Sequence, residues 1–363
     1  MRKEAKVGRA RARDLGIAIG KFAPGRWNAI TDVPGVRVGH RTLIRDHPRV
    51  VRTGVTVILP RKENIWQEQA FAGFHSFNGA GEMTGILWVQ ESGLLGSPIA
   101  LTNTHQVGLV RDALVEHAQT RGYTEYSSLP VVGETYDGRL NDLDAFSLTA
   151  EDVLAALEGA TDGPVPEGNV GGGTGMICHD FKGGIGTASR LVETAGAEYV
   201  VGALVQANHG SREDLRVDGV PVGVEIGVDK VPSAGRGLPL GGSILVILAT
   251  DAPLLPDQCR RLARRATVGM ARCGAAGHKT SGDLFLAYST AHRIPLQASG
   301  VLEVSMLFHM DLNPLFSAAA EAVEEAIVNC LTAAETMTGF GGRTAYAVPL
   351  DELQRVMRKY RPD

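Results

Sequence analysis

Residues 241–253 read Gly241-Gly242-Ser243-Ile244-Leu245-Val246-Ile247-Leu248-Ala249-Thr250-Asp251-Ala252-Pro253. Two glycines lead into a serine that opens an unbroken apolar segment rich in β-branched residues. Such a segment predicts a strand that is buried on both faces of its sheet. Ser243 therefore stands at the start of a rigid element, where its hydroxyl would be held in one place.

The Gly242–Ser243 bond has two interpretations. In the first, the glycines supply positive φ angles where the chain enters the sheet. In the second, the Ser243 hydroxyl attacks the Gly242 carbonyl, and hydrolysis of the resulting ester frees Ser243 as a new N-terminus. Its α-amine, with a reference pKa of about 7.7–8.0, would then be the general base for its own hydroxyl. The second interpretation explains how a serine works without a histidine.

The sequence resembles the L-aminopeptidase D-amidase/D-esterase family, which includes the β-peptidyl aminopeptidases. Its processing site is similar to Gly241-Gly242-Ser243 followed by an apolar strand and Thr250-Asp251-Ala252-Pro253. Similar blocks in family order occur at residues 13–17, 28–40, 54–56, 77–85, 102–104, 132–138, 169–176 and 205–208. Many blocks in one order are far more specific than any single block, and they favour self-cleavage.

The resemblance implies an α/β fold with two stacked sheets between helical layers, an αββα sandwich like that of N-terminal-nucleophile hydrolases but differently connected. It implies one domain over residues 1–363, cleaved into 1–242 and 243–363, and tetramers of these cleaved heterodimers. The activity it implies is release of N-terminal residues from small peptides, amides or esters, with no metal and no cofactor. Composition and periodicity alone do not distinguish this fold from a doubly wound sheet.

Three residues are candidates for binding the substrate and the reacting carbonyl. Asn208 ends a predicted buried strand, and its side-chain amide would donate to a developing oxyanion. The Glu134 carboxylate would attract a substrate ammonium group, and the Tyr136 hydroxyl would donate a hydrogen bond near the reacting carbonyl. Taken singly, Asn208 is also explained as a turn former, and the other two as solvated loop residues. The family places matching residues in its active site.

Ser281 lies just before a predicted strand over residues 283–289, and Asp283 is the first residue of that strand. The Ser281 hydroxyl and the Asp283 carboxylate are expected to hold the α-amine of Ser243 and tune its proton affinity. A plain helix-to-strand turn is the alternative. Some relatives have Glu at the position of Asp283, and the aspartate side chain is one methylene shorter than that glutamate.

Two other activities remain open. The first is an acyltransferase that uses the same acyl-enzyme on Ser243, with an amine acceptor in place of water. Thr174 follows three glycines and is a competing nucleophile, as in the ornithine acetyltransferases, although no long buried strand follows it. A binding protein that never processes is the second. Cys178-His179-Asp180 cannot form a relay because adjacent side chains diverge. His40, His75, His105 and His209 lack the spacing of metal ligands, so no metal site is predicted.

The composition is that of an ordinary globular protein. The chain has 363 residues, 44% hydrophobic and 21% charged, with a net charge of −4. Blocks of like charge and apolar runs of about 18 residues are both lacking, so neither nucleic-acid binding nor a membrane location is indicated. The four cysteines have no CxxC spacing, which favours a reducing, cytoplasmic setting.

Three local expectations concern the rest of the chain. Residues 1–12 are expected to be a loose arm, and residues 85–90 a strand. Residues 209–241, and Pro232 to Leu240 in particular, are expected to be mobile, because a bond that is cut needs slack around its new ends.

Overall fold

The segment that begins at Ser243 forms a fully buried strand, as predicted. In the computed structural model, which describes residues 9–123, 129–234, 242–297 and 299–361, all residues of Ser243–Thr250 are buried. It lies inside a six-stranded sheet, with a neighbouring strand on each edge.

The strands and helices are numbered in chain order. The strands are β1 (Arg37–Arg45), β2 (Val51–Leu59), β3 (Glu68–Gly79), β4 (Leu94–Leu95), β5 (Ile99–Asn103), β6 (Val131–Thr135), β7 (Ile177–Cys178), β8 (Phe181–Lys182), β9 (Gly184–Thr194), β10 (Ala197–Asn208), β11 (Ser243–Thr250), β12 (Gly282–Pro295), β13 (Met337–Thr338) and β14 (Thr344–Ala345). The helices are α1 (Ile86–Ser92), α2 (Val107–Thr120), α3 (Ala150–Glu158), α4 (Val222–Glu225), α5 (Pro256–Ala263), α6 (Ala266–Arg272), α7 (Asn313–Ala333) and α8 (Leu350–Tyr360).

Two sheets carry the fold. The four-stranded sheet has the order β1-β2-β5-β6, and the six-stranded sheet has the order β4-β3-β12-β11-β10-β9. Within the larger sheet β11 pairs antiparallel with β10 and parallel with β12. Two further strand pairs, β7-β8 and β13-β14, are short.

The apolar side chains define four layers. One core between the two sheets contains Leu101 and Leu245, a second packs α2 and α3 on the outer face of the smaller sheet, and a third packs α5, α6 and α7 on the outer face of the larger sheet. Along β11 the side chains alternate between these cores, since successive strand residues point to opposite faces. Ile244 and Val246 face the helices, and Leu245 and Ile247 face the other sheet. The layer order is therefore the expected αββα.

The predicted strand at residues 85–90 is wrong, because the segment forms helix α1. Both ends are marked by glycines in the left-handed region, Gly85 and Gly93, each with φ 72°. Ile86 and Val89 are buried, while Leu87 is 84% exposed. Burial of residues three apart fits one face of a helix. An apolar run of this length does not by itself distinguish a helix from a strand.

The expected loose arm is also wrong for the part that the structure describes. Ala12 is buried, and its backbone N–H donates to Asn329 Oδ1 at 2.9 Å. The Arg9 guanidinium donates to the carbonyl oxygens of Leu331 and Val348. These partners are more than 300 residues away in the chain, so no local pattern revealed them. Residues 1–8, and residues 235–241 of the segment expected to be mobile, lie outside the described residues.

Helix α7 packs so closely on β9 that one strand position cannot carry a side chain. A Cβ atom at Gly186 would lie 1.9 Å from the Ala326 carbonyl oxygen of the helix backbone. We expect Gly186→Ala to lower the free energy of unfolding by about 1–3 kcal/mol or more, because helix and sheet must separate. Urea unfolding followed by circular dichroism measures this.

The control is Gly108→Ala on α2, where the added Cβ meets nothing within 4 Å. This variant should be unchanged or more stable by about 0.5–1 kcal/mol, since alanine favours the helix. Equal unfolding midpoints for the two variants would contradict the close packing of α7 on β9.

Candidate active site

Ser243 lies where three strands meet. Its neighbour across the antiparallel pairing is Asn208, and its neighbour across the parallel pairing is Gly282. The Gly282 backbone N–H donates to Ser243 Oγ at 3.2 Å and also to the Gly242 carbonyl oxygen at 3.2 Å. One donor therefore contacts both the hydroxyl and the carbonyl of the bond that precedes it.

The alternation of β11 decides which groups reach the Ser243 side chain. Ser243 shares the face of Leu245, which packs in the core between the sheets. Its hydroxyl therefore points toward the four-stranded sheet, whose strand β6 carries Glu134. Asp283 pairs with Ile244 and so belongs to the opposite, helical face.

Asn208 connects the end of β10 to the loop after β6. Its Nδ2 donates to the Tyr136 carbonyl oxygen at 2.9 Å, and its Oδ1 accepts from the Ile177 N–H at 2.8 Å. The side chain is 5% exposed. These bonds fix the amide plane and use one of the two Nδ2 hydrogens, so one hydrogen is left to donate to a substrate.

Glu134 is a buried carboxylate on β6, the edge strand of the four-stranded sheet. Its oxygens accept from the Glu82 N–H at 3.0 Å and from the Thr104 hydroxyl. Burial raises the pKa of Glu134, and these two hydrogen bonds oppose that shift. A Cβ atom at Gly81 would lie 3.1 Å from Gly282 Cα and 3.2 Å from Glu134 Oε1, so the carboxylate lies close to the Ser243 neighbourhood.

Ser281 and Asp283 form a hydrogen-bonded pair beside the backbone of β11. Ser281 Oγ donates to Asp283 Oδ1 at 2.6 Å, and the Ile244 backbone also hydrogen-bonds the carboxylate. Burial raises the pKa of Asp283, which those hydrogen bonds and the nearby His209 oppose. Its Oδ2 is buried without a partner. Both residues line a cavity together with Gly242, where a freed α-amine would lie.

Similarity to known proteins agrees with this geometry. The model of Peptidase family S58 matches residues 28–345. The chain belongs to peptidase family S58. It is 48% identical to the β-peptidyl aminopeptidase BapA of Sphingosinicella microcystinivorans, over 97% of this chain and 92% of that protein.

Solved structures of S58 relatives share the fold. A β-aminopeptidase from Burkholderia sp. superposes with a TM-score of 0.90 at 49% identity, covering 98% of this chain and all of the other. The L-aminopeptidase D-Ala-esterase/amidase of Ochrobactrum anthropi gives 0.87 at 44% identity, covering 96% and 98%, and is described as a new variant of the Ntn hydrolase fold. This S58 chain is therefore a serine aminopeptidase of the N-terminal-nucleophile class.

The structure brings together five of the six predicted side chains. Ser243, Asn208, Ser281, Asp283 and Glu134 surround the start of β11. Tyr136 differs, because its backbone carbonyl contacts Asn208 while its side chain is 45% exposed and folds over Gly138. The donor role of its phenol stays a prediction.

Thr174, the competing candidate nucleophile, lies in a turn that precedes β7 and not at the start of β11. It is buried at the end of a 3-10 turn, Gly171–Gly173, and its hydroxyl donates to the Gly171 carbonyl oxygen at 2.6 Å. That hydroxyl is thus engaged within its own turn.

The Gly282 N–H is a site group that the sequence did not predict, because a backbone donor leaves no mark in residue type.

A buried carboxyl next to this S58 site is expected to make stability depend on pH. Asp137 accepts from Asn141 Nδ2 at 3.1 Å, and burial raises its pKa from 3.8 to about 7. Between these values the folded chain keeps a proton that the unfolded chain has lost, so stability falls as pH rises. Asp137→Asn stays neutral, so we expect its free energy of unfolding to fall less than that of the unaltered chain over this pH range. Urea unfolding at several pH values measures the difference.

Asp144→Asn removes an exposed carboxyl from the same segment and is the control. It should keep the pH dependence of the unaltered chain. Identical slopes for all three proteins would show that Asp137 ionises normally in the folded state.

Proposed function

We propose that the chain cleaves its own Gly242–Ser243 bond and that the freed Ser243 then releases N-terminal residues from small peptides, amides or esters. The observation that carries this is the shared Gly282 N–H, which contacts both Ser243 Oγ and the Gly242 carbonyl oxygen. The attacking atom and the bond to be cut are thus held by one buried donor. Donors aimed at a developing oxyanion are a large source of catalysis.

The α-amine of processed Ser243 would be the base. The described hydrogen bonds of Ser243 Oγ contain neither a histidine ring nor a carboxylate, so the proton needs another acceptor. Asp283 lies beside the backbone of β11 and not on the face of the hydroxyl. It would therefore hold the amine, with Ser281 keeping its carboxylate oriented. Oriented bases of this kind activate serine nucleophiles.

The catalytic cycle follows from these positions. Ser243 Oγ attacks the substrate carbonyl, and its proton passes to the α-amine and then to the leaving group. Asn208 Nδ2 and the Gly282 N–H donate to the oxyanion, and water hydrolyses the ester. The Glu134 carboxylate anchors the substrate ammonium group, which restricts the enzyme to free N-termini.

Both fragments would remain one folded unit after cleavage. The core between the sheets contains Leu101 and Leu204 from the first fragment and Leu245 and Leu286 from the second. Separation would expose this core to water, at a cost of roughly 1.5–3 kcal/mol for each large side chain. We therefore treat residues 1–363 as a single domain in two pieces.

We also propose a homo-oligomer in a reducing compartment. Val301, Phe308 and Met310 are 94%, 65% and 70% exposed within one segment, and clustered apolar surface of this kind is typical of subunit contacts. The four cysteines are free and buried. No helix in the described ranges has the length and apolar character needed to cross a membrane.

Removing the nucleophile should leave the chain whole. We expect Ser243→Ala to give one full-length, inactive chain, and the unaltered protein to give fragments that end at Gly242 and begin at Ser243. Mass spectrometry of the denatured proteins measures both. Thr174→Val is the control and should process normally, since Thr174 lies in a separate turn. Active protein with an unbroken Gly242–Ser243 bond would overturn the proposal.

Removing the charge of Glu134 should lower kcat/KM only for substrates that carry an ammonium group. We expect Glu134→Gln to lower kcat/KM for aminoacyl amides about 10- to 100-fold, the value of a charge-assisted hydrogen bond of about 1.5–3 kcal/mol. Burial raises the pKa of Glu134, so its carboxylate is protonated at a higher pH than that of an ordinary glutamate. On acidification, kcat/KM of the unaltered enzyme should therefore begin to fall at that higher pH.

Glu82→Gln is the matched control, because the Glu82 backbone N–H that binds Glu134 is kept. It should behave like the unaltered enzyme. With an ester whose amine is blocked, Glu134→Gln and the unaltered enzyme should become alike. An equal loss on blocked and free substrates would show that Glu134 supports the structure and does not bind the amine.

A further inference from the structure

Three potential metal ligands meet beside the active site. Cys178 is the last residue of strand β7, His179 follows it, and His209 follows β10. Each offers one ligand atom, and these atoms lie within 4.8 Å of one another. Cys178 Sγ is 4.0 Å from His209 Nδ1, and the two imidazole centres are 5.2 Å apart. All three side chains are buried, with at most 3% exposure.

The hydrogen bonding of His179 leaves one ring nitrogen free. Its Nδ1 lies 3.0 Å from the Ser211 carbonyl oxygen, which can only accept, so Nδ1 carries the hydrogen. The Nε2 lone pair of His179 is buried without a partner. Buried nitrogens without partners are costly. Metal-binding histidines typically donate their other ring N–H to a backbone carbonyl in this way.

The backbone around the cluster is tightly held. The His179 N–H donates to the His209 carbonyl oxygen at 2.6 Å, which ties the two segments together. His179 has φ 46°, in the left-handed region. A Cβ atom at Gly210 would lie 2.4 Å from His179 Nδ1, so only glycine leaves room for the ring. The segments that carry the two histidines are therefore already adjacent before any ion arrives.

The approach to the cluster is lined by acidic groups. His209 borders the cavity whose lining contains Asp180, Asp214 and Asp283, with Arg139 as a cationic side chain among them. Asp180 Oδ1 and Asp283 Oδ2 are buried without partners. Carboxylates at a cavity wall concentrate cations, and one of them or a water would complete the coordination.

We propose that Cys178, His179 and His209 bind one thiophilic divalent ion, with Zn²⁺ as the reference, and that the bound ion inhibits the peptidase. Thiolate and imidazole together are typical zinc ligands, at about 2.3 and 2.0–2.1 Å. Tetrahedral ligands at these distances are about 3.5 Å apart. Sγ and Nδ1, now 4.0 Å apart, must therefore approach by about 0.5 Å, and a pair at the 4.8 Å limit by about 1.3 Å. The Cys178 thiol releases its proton to solvent on binding.

Inhibition follows from the position of His209. It directly follows Asn208, the proposed oxyanion donor, and a Cβ atom at Gly242 would lie 2.8 Å from His209 Cα. Drawing His209 toward Cys178 moves both of these neighbours. This half of the inference depends on the proposed function, whereas ion binding does not.

Titration of the metal-free, full-length protein with Co²⁺ tests the binding. We expect one ion per chain and a thiolate-to-Co²⁺ charge-transfer band that Zn²⁺ abolishes. Cys178→Ser should lose the band and weaken binding at least about tenfold. His179→Asn is a second variant, since asparagine tolerates positive φ. Cys273→Ala removes a buried thiol outside the cluster and should bind like the unaltered chain.

Turnover of an aminoacyl amide, with and without Zn²⁺, tests the inhibition. We expect Zn²⁺ to lower turnover at least about tenfold in the unaltered chain and in Cys273→Ala, and a chelator to restore it. Cys178→Ser should be active and insensitive. Absence of the band, or the same titration for Cys178→Ser as for the unaltered chain, would overturn the site. Binding without loss of turnover would overturn the inhibition. A chain inactive with and without metal would contradict the proposed function and leave the binding result standing.

Discussion

The pairing of β11 on both edges is the constraint on which the active site depends. An antiparallel neighbour brings Asn208 opposite Ser243, and a parallel neighbour brings Gly282 to its other side. These strands come from distant parts of the chain, and their hydrogen bonds leave Ser243 little freedom. Such preorganisation reduces the rearrangement that a reaction would otherwise require.

The same strand separates the two functions of one residue. The Ser243 hydroxyl is on the face of Leu245 and of its pairing partner Asn208, whereas its backbone nitrogen is beside the cavity with Ser281 and Asp283. A nucleophile and a base on one residue would thus be served by groups on opposite faces of one sheet. Two stacked sheets make this possible, because one sheet covers the face that the helices do not.

The polar groups in the interior divide into satisfied and unsatisfied sets. Arg190 is buried under α7 and is paired with Glu325 at 2.7 Å, with additional hydrogen bonds to backbone carbonyls. Near β11, by contrast, Asp283 Oδ2 and His209 Nε2 are buried without partners. The paired Arg190 and Glu325 support the packing of α7. Polar groups that remain without partners at the border of a cavity are typical of a site that binds a ligand or substrate.

The sequence by itself determined the family and the buried strand, and it located Ser243 and four of the side chains that lie around it, because the blocks that carry them are local and specific. It failed where an apolar run had no distinguishing length, as in α1, and it missed the anchoring of Ala12. Only the tertiary structure decided that the Tyr136 carbonyl and not its phenol meets Asn208, that a backbone N–H bridges Ser243 and Gly242, and that Cys178 meets His209. Each of these depends on which segments the sheet places side by side, and strand pairing between distant residues is not encoded in any local pattern.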